Sequence, residues 1–344
     1  MMKVLQVLKL SFALLLLQLG FLSSCKKTNQ NPTNTPSVPR LAYYIDSKIM
    51  VMNTDGTNAH AINIQLPNNV VLDIGSPRIS PDGSTVFFNA YKTNNNVTIS
   101  HDIYSCSING GTANLVLSSG TPNIFYSIDA IYKAQQQTKI VYAQILINQN
   151  YLNQIYTANA DGTNAQQVNF ALPTSSAIND SYVKPSTDYS SLYFVAQSNQ
   201  YNSPSYIYSC NPDGSNVKQI VSTTFGIVSG NFTIGQLSKI FYVELNQGFF
   251  ISSTYYSTCS FFTVNTDGTS KQALNIVLPS GVNTSADGQP IISNDGKTIY
   301  FQTIAKDGSG NPILSIYSCN IDGSNPIQLA TYNNIKYLSI GDAF

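Results

Sequence analysis

The stretch Ile-Tyr-Ser-Cys-Asn-Ile-Asp-Gly at residues 316–323 decides the fold, because five further versions of it occur along the chain. These versions occupy residues 49–56, 103–110, 155–162, 207–214 and 261–268. Their final glycines lie 52 to 55 residues apart, and a fixed spacing in this range is typical of a repeat architecture. Each copy is a β-rich run that ends in a turn dipeptide, which predicts a strand, a tight turn and a second strand.

A second turn phrase precedes most of these copies. It reads Ser-Pro-Asp-Gly at residues 80–83 and Ser-Asn-Asp-Gly at 293–296, with a decayed version, Ser-Thr-Asp-Tyr, at 186–189. Each unit therefore contains two turns and four strands. Four antiparallel strands in a unit of this length form one blade of a β-propeller.

The two ends of the repeat region complement each other. The first unit begins at Leu41 and lacks the strand before its first turn, whereas residues 335–344 form a strand-like stretch without a unit of its own. We expect the C-terminal stretch to complete the first blade, because this closes the ring and removes two exposed sheet edges. The predicted fold is all-β: a six-bladed β-propeller over residues 41–344, with four antiparallel strands in each blade. An open solenoid is the alternative.

Both phrases resemble the repeats of the TolB-type propellers of bacterial envelopes, and the similarity covers residues 41–344. The resemblance implies a six-bladed propeller in the envelope. It does not imply a particular ligand, because such propellers have many roles. The 344 residues contain no counterpart of the separate amino-terminal domain of TolB, so TolB's own partners are not expected here.

The N-terminal segment has the pattern of a bacterial lipoprotein signal. An apolar run at residues 10–22 is too short for a comfortable transmembrane helix, and it ends in Leu-Ser-Ser-Cys at 22–25. This ending resembles a lipobox, which implies a signal peptide over residues 1–24 and a lipid on the thiol of Cys25. An ordinary secretory signal with an incidental cysteine is the alternative.

The residues after Cys25 indicate in which membrane the lipoprotein is expected. Position 26 holds a lysine rather than an aspartate, which favours the outer membrane, facing either the periplasm or the cell surface. Residues 25–40 are rich in Asn, Thr and Pro, and we expect them to form a flexible tether that follows the lipidated cysteine. The expected partners are thus the membrane, through the lipid, and an envelope component.

Composition limits the kinds of partner. The formal net charge is zero, charged residues make up 10% of the chain, and the only basic run is Lys26–Lys27, which argues against nucleic acid. A surface rich in Asn, Ser, Thr, Gln and Tyr suits a neutral, hydrogen-bonding ligand such as a glycan, or a protein surface.

The acidic residues, histidines and cysteines all favour structural roles. Most aspartates precede a glycine, where they cap turns, and a calcium loop would need more carboxylates and a terminal glutamate. His60 and His101 lie far apart in the repeat, which argues against a zinc site or a catalytic triad and favours two surface histidines. Cys106, Cys210 and Cys319 share one strand position, expected to be buried and apolar. We therefore expect no metal, no cofactor and no catalytic residue.

Candidate binding residues come from the long, unequal segments between the second and third strands of the units. These segments lie on the face opposite the Asp-Gly turns, and variable loops on a rigid scaffold often carry binding sites. The longest, residues 245–256, is predicted to be a loop with four aromatic side chains, which suit a sugar or a protein surface. The candidate ligand-binding residues are Tyr91, Asp129, Tyr151, Tyr201, Phe249, Phe250, Tyr255 and Tyr256.

Asp129 differs from the other candidates because it lies level with the start of the innermost strands, where it is expected to line the central channel. The sequence thus favours a lipid-anchored, non-catalytic binding or assembly module that recognises protein or glycan through its long-loop face. The alternative is a polysaccharide hydrolase or lyase, which would need two or more channel carboxylates close together.

Overall fold

The computed structural model describes residues 39–147, 152–172, 176–177, 183–198, 205–223, 227–235, 238–251, 254–286 and 288–343. In these ranges the chain forms 29 strands. Nowhere in the described part is there a helix long and apolar enough to cross a membrane.

The strands follow one another in blade order. Blade 1 begins with β1 (Arg40–Ile45), β2 (Lys48–Asn53) and β3 (His60–Ala61), followed by β4 (Ile64–Gln65) in the connection to blade 2. Blade 2 contains β5 (Val70–Leu72), β6 (Arg78–Ile79), β7 (Thr85–Asn94), β8 (Val97–Ser107) and β10 (Asn114–Leu117), with β9 (Gly111–Thr112) pairing β4. Blade 3 contains β11 (Ile124–Ala134), β12 (Gln137–Leu146), β13 (Leu152–Asn159) and β14 (Gln166–Gln167).

The second half repeats the arrangement. Blade 4 contains β15 (Ser176–Ala177), β16 (Val183–Pro185), β17 (Leu192–Ser198), β18 (Ser205–Cys210) and β19 (Lys218–Ser222). Blade 5 contains β20 (Ile227–Gly235), β21 (Lys239–Ile251), β22 (Thr254–Asn265) and β23 (Gln272–Ala273). Blade 6 contains β24 (Asn283–Thr284), β25 (Ile291–Ile292), β26 (Thr298–Lys306), β27 (Pro312–Asn320) and β28 (Ile327–Asn333), and the last strand is β29 (Leu338–Ala343).

The six blades form a closed ring around a central channel. In blades 2 to 6 the strands pair antiparallel in chain order, from the innermost strand outward, and in blade 1 the order is β29, β1, β2 and β3. The inner strands β6, β11, β16, β20, β25 and β29 each contact the next, and β29 contacts β6 again. The prediction of a six-bladed β-propeller is confirmed.

β29 closes the ring as its inner strand in blade 1. It pairs antiparallel with β1, and the register joins Leu41 to Ala343 and Ile45 to Leu338. Gly341 lies so close to the carbonyl oxygen of Pro77 in blade 2 that a side chain at this position would overlap it. The predicted completion of blade 1 by the C-terminal strand is therefore confirmed, although the strand begins at Leu338 rather than at residue 335.

Among the described residues, six apolar clusters hold the blades together, one at each interface between neighbours. Ala42 and Val51 of blade 1 pack with Val86 and Phe88 of blade 2, for example, and the same pattern recurs around the ring. The strand position shared by Cys106, Cys210 and Cys319 is buried, as the sequence predicts, and burial raises the pKa of all three thiols.

The Asp-Gly turns are capped by their own aspartates. Asp213 Oδ1 accepts hydrogen bonds from the backbone N–H of Ser215 at 2.9 Å and from its hydroxyl at 2.6 Å. These bonds lower the pKa of Asp213, and four more copies of the turn repeat them. The aspartates thus cap turns, as predicted from the sequence.

Glycine is required in these turns for two reasons. Gly162 and Gly323 both have φ of +84°, a left-handed conformation that favours glycine. In addition, each turn lies against the backbone of the preceding blade, and a side chain at Gly162 would overlap the carbonyl oxygen of Val116 in blade 2. Among these turns, a Cβ atom added at the glycine would lie closest to the preceding blade at Gly162 and Gly214. It would lie farthest at Gly323, where the nearest atom would be 3.3 Å away. The repeated glycine therefore also allows neighbouring blades to pack closely.

Candidate functional site

The propeller has two different end surfaces. The turn face carries the Asp-Gly turns described above. The hairpin face carries the connections between the second and third strands of each blade, which are the far ends of the hairpins β1–β2, β7–β8, β12–β13, β17–β18, β21–β22 and β26–β27. The candidate residues from the sequence fall mainly on the hairpin face.

The segment predicted to be a loop at residues 245–256 is instead the end of a long β-hairpin. β21 and β22 pair from Lys239 and Asn265 up to Ile251 and Thr254, with one irregularity between Leu245 and Gly248. The long hairpin is not evident from the sequence, because the alternation of polar and apolar residues along the strand is interrupted at the irregularity. The aromatic residues are therefore held on paired strands.

The hairpin divides its aromatic residues between core and surface. The candidate Tyr256 is buried: its side chain is 6% exposed and packs with Ile251 among residues of blades 6 and 1. Phe250 points the other way and is 65% exposed. Phe249 and Tyr255 lie in the same hairpin. In the backbone register Phe249 pairs with Tyr256, and Tyr255 pairs with Phe250.

Tyr91 lies in blade 2 beside a partly buried histidine. Its ring centroid is 6.2 Å from that of His101, which in turn is 5.0 Å from that of Phe125. Nδ1 of His101 lies 3.6 Å from a carboxylate oxygen of Asp73. The prediction that both histidines are surface residues is therefore wrong for His101, which packs between two rings, whereas His60 is exposed. The candidates Cys25, Tyr151 and Tyr201 lie outside the described residues.

Asp129 lies at the channel, in a cavity of about 330 Å³ that opens on the turn face. Its walls include one residue from the same repeat position of each inner strand, the residue that pairs with Ala42, Phe87, Val141, Tyr193, Phe241 or Tyr300 of the neighbouring strand. In blade order these six residues, the channel layer, are Asp342, Arg78, Ala130, Lys184, Thr233 and Ile291.

Two cations of the channel layer converge on one oxygen atom. Nε of Arg78 donates to the carbonyl oxygen of Asp129 at 2.9 Å, and Nζ of Lys184 donates to the same oxygen at 2.8 Å. Arg78 is buried, and it also donates to the carbonyl oxygen of Gly341 and to Oε1 of Gln289. Arg78 thereby connects blade 2 to blades 1, 3 and 6, while the ammonium of Lys184, a half-buried residue, borders the cavity.

The two carboxyl groups at this level are held by backbone donors. Oδ2 of Asp129 accepts from the N–H of Val183 at 3.2 Å, and Asp342 accepts from the N–H groups of Ile79 and Ala343. Oδ1 of Asp129 is buried without a hydrogen-bond partner among the described residues. Burial raises the pKa of both carboxyl groups, because removal from water disfavours the charged form.

Burial lowers the pKa of Lys184 for the same reason, and the positive charge of Arg78 lowers it further. The mouth of the channel therefore contains the permanently charged guanidinium of Arg78. Beside it lie the amine of Lys184 and the carboxyl groups of Asp129 and Asp342, and burial disfavours the charged form of all three. Chemically, this arrangement offers hydrogen-bond donors and acceptors of both charge types to a small ligand. Within the described residues there is no group of three or more His, Cys, Asp or Glu side chains that could hold a metal ion.

Sequence reasoning found Asp129 and missed the cations beside it. A signal was nevertheless available, because Arg78 stands four residues before the aspartate of one first-turn phrase and Lys184 stands four residues before that of another. Equal positions in different blades of a propeller lie at the same depth of the channel. Two basic residues at one repeat position thus indicated a positive channel layer.

Comparison with known proteins supports the fold. No family model matches the chain, and no curated protein matches it in sequence. Among solved structures it is similar to an oligogalacturonate lyase in complex with manganese, at 13% identity, a TM-score of 0.50, and coverage of 80% of this chain and 73% of that one. It is also similar to an oligogalacturonate lyase from Vibrio parahaemolyticus, at 10% identity, a TM-score of 0.50, and the same coverage of both chains. A third match is a TolB candidate from Agrobacterium tumefaciens, at 16% identity, a TM-score of 0.50, and coverage of 87% and 91%. At these identities the likeness shows a shared β-propeller fold.

Proposed function

We propose that this propeller is a lipid-anchored, non-catalytic binding module of the bacterial envelope, and that it recognises a protein or a glycan through its hairpin face. The observation that carries the proposal is Phe250, a large aromatic side chain that is 65% exposed at the end of the longest hairpin. A ring of this exposure presents most of its surface to solvent, and aromatic residues dominate binding hot spots.

The hairpin that carries Phe250 is firmly attached to the ring. Ile251 and Tyr256, 1% and 6% exposed, pack against residues of blades 6 and 1, and Nζ of Lys306 donates to the carbonyl oxygen of Phe250 at 3.5 Å. A rigid support reduces the entropy that is lost when the ring meets a partner. This supports recognition by a fixed surface rather than by a mobile loop.

The channel carboxyl groups favour binding over catalysis. Asp129 and Asp342 line the same cavity, as a polysaccharide-active enzyme would require. Each, however, accepts backbone hydrogen bonds that hold it in place, and Asp129 is fully buried, which supports a structural role for Asp129 over one as an acid or base.

Replacing Phe250 with a photo-crosslinking phenylalanine analogue tests the surface directly. We expect this side chain, when irradiated in intact cells, to form a covalent adduct with an envelope protein, because a hot-spot ring lies in contact with its partner. For a glycan partner, Phe250→Ala should instead weaken binding on an array of envelope polysaccharides, by about 2 kcal/mol.

Ile327 provides a matched control, because it is 50% exposed but lies on the outer strand of blade 6, away from the hairpin face. The same analogue at Ile327 should give no adduct, and Ile327→Ala should bind glycan like the parent chain. Equal results at both positions, with all variants folded by circular dichroism, would mean that the hairpin face is not the binding surface.

The membrane anchor has its own test. Cys25→Ser should abolish incorporation of radiolabelled palmitate and move the protein from the detergent phase to the aqueous phase, because the thiol is the proposed site of acylation. The parent chain, labelled in parallel, serves as the reference. Palmitate labelling that persists in Cys25→Ser would refute lipidation at this residue.

A further inference from the structure

The Asp-Gly turn of blade 6 leaves a gap beside blade 5. A Cβ atom added at Gly323 would lie 3.3 Å from its nearest neighbours, whereas the corresponding distance is 2.8 Å or less in the other five copies of the turn. A cavity of about 480 Å³ lies beside this turn, lined by Ile321 and Asp322 of blade 6 and by residues of blade 5. Its volume is in the range of small-molecule pockets, so the interface between blades 5 and 6 has room for a ligand.

Three polar side chains of blade 5 point toward this cavity. Phe241 of β21 packs among residues of blade 6, and Thr263 pairs with it directly across the strands, so both side chains lie on the face that meets blade 6. Gln272 pairs with Thr263 in turn, and Lys239 precedes Phe241 by two residues, which places both on the same face. All three polar residues line the cavity.

Thr263 and Lys239 have hydrogen-bonding capacity to offer. Thr263 is 4% exposed, and its hydroxyl makes no hydrogen bond among the described residues, which is unfavourable for a buried polar group. Nζ of the half-buried Lys239 donates to Oδ1 of Asn265 at 3.1 Å, and an ammonium has three N–H groups to donate. A ligand with hydroxyl groups would supply the missing partners.

The charges at the cavity favour a neutral ligand. Among the described residues that line it, Lys239 and Asp322 are the only charged ones, one of each sign. Oδ1 of Asp322 accepts from the backbone N–H and the hydroxyl of Ser324, while Oδ2 makes no hydrogen bond in the described part of the chain. An anionic ligand would be repelled by Asp322 and a cationic one by Lys239, whereas hydroxyl groups can donate to the carboxylate and accept from the ammonium. We propose that this cavity binds a small neutral saccharide.

This saccharide site lies on the turn face, so it is separate from the hairpin face and does not depend on the function proposed above. Its lining also includes the apolar side chains of Ala273, Leu274 and Ile321, which suit the carbon-bound hydrogens of a sugar ring. Gln272 and Asp322 are exposed, so the cavity opens to solvent where they lie.

Titration of the purified full chain with cellobiose, maltose and lactose, followed by ligand-observed NMR, tests the site. We expect saturable binding of at least one of these neutral disaccharides. Thr263→Val should weaken that binding about fivefold, since one hydrogen bond is lost. Valine fits this strand position, because Val51 occupies it in blade 1. Lys239→Met should weaken the binding about tenfold, because a charged donor makes a stronger hydrogen bond.

Blade 3 supplies a matched control, because the same three residue types recur there at the same positions, as Lys139, Thr157 and Gln166. The turn that follows in blade 4 lies closer, since a Cβ atom at Gly214 would overlap the preceding backbone. Thr157→Val should therefore bind disaccharide like the parent chain. Absence of saturable binding by all three disaccharides, or equal weakening by Thr157→Val and Thr263→Val in folded proteins, would overturn the proposal.

Charged sugars provide an independent readout. Glucuronate and glucosamine should both compete less well than glucose for the site that holds the disaccharide. Asp322→Asn removes the carboxylate but keeps a side chain that caps the turn, so it should raise the affinity for glucuronate relative to glucose. Phe250→Ala should bind all these sugars like the parent chain, because Phe250 lies on the hairpin face. Tighter binding of glucuronate than of glucose by the parent chain would contradict a site for neutral sugars.

Discussion

Deletion of residues 335–344 should leave a protein that no longer unfolds cooperatively and that aggregates when expressed. The deletion removes β29, and with it the buried side chains of Leu338 and Ile340, each of which contributes about 1.5–3 kcal/mol by burial. It also exposes the edge of β1 and takes away the carbonyl oxygen of Gly341 that accepts from Arg78. These losses together are comparable with the whole stability of a typical domain.

Thermal unfolding followed by circular dichroism and calorimetry checks this result. Tyr337→Ala is the matched control, because Tyr337 adjoins β29 but is 51% exposed, and its removal should change the melting temperature little. A truncated protein that remains monomeric and melts in a single sharp transition would show that the ring does not need β29.

Gly162→Ala should lower the free energy of unfolding by several kcal/mol, and considerably more than Gly323→Ala. Both glycines have φ of +84°, so the two substitutions carry the same backbone strain, about 1–2 kcal/mol. They differ in their surroundings. A methyl group at Gly162 would overlap the carbonyl oxygen of Val116, whereas at Gly323 the nearest atom would lie 3.3 Å away. Moving two blades apart costs typically a further 1–3 kcal/mol, as for other overpacked sites.

Denaturant unfolding of the two variants measures the difference, with the slope of the transition as a check that both unfold in the same manner. The paired design separates the strain of the turn from the contact between blades. If both variants lose the same free energy of unfolding, the glycines are needed for the turn alone.

Most of the fold could be predicted from the sequence because a propeller is specified by repetition. The Asp-Gly turns fix where each blade reverses, and the missing strand before Leu41 indicates where the C-terminal strand must go. The hairpin ends were less predictable. Residues 245–256 have no turn dipeptide of their own, and an irregularity in pairing shifts the alternation, so a long hairpin reads as a loop.

The channel was predictable only in part. Asp129 is detectable because a carboxylate is unusual at that position of the repeat. Its partners Arg78 and Lys184 come from blades 2 and 4, and Gln289, which accepts a hydrogen bond from Arg78, lies in the segment before β25. Such contacts depend on how six blades meet at the axis, and spacing along one chain does not encode the distances between them.

The pairing of β1 with β29 also determines the order in which the protein can reach its native state. Blades 3 and 5 consist of strands that are neighbours along the chain, so they can form early from local contacts. Blade 1 instead joins Leu41 to Ala343, across about 300 residues, and closing so long a loop carries a high entropic cost. We therefore expect blade 1 to form last. Until that moment β1 presents a free edge, and the nearly finished ring is most exposed to pairing with another molecule.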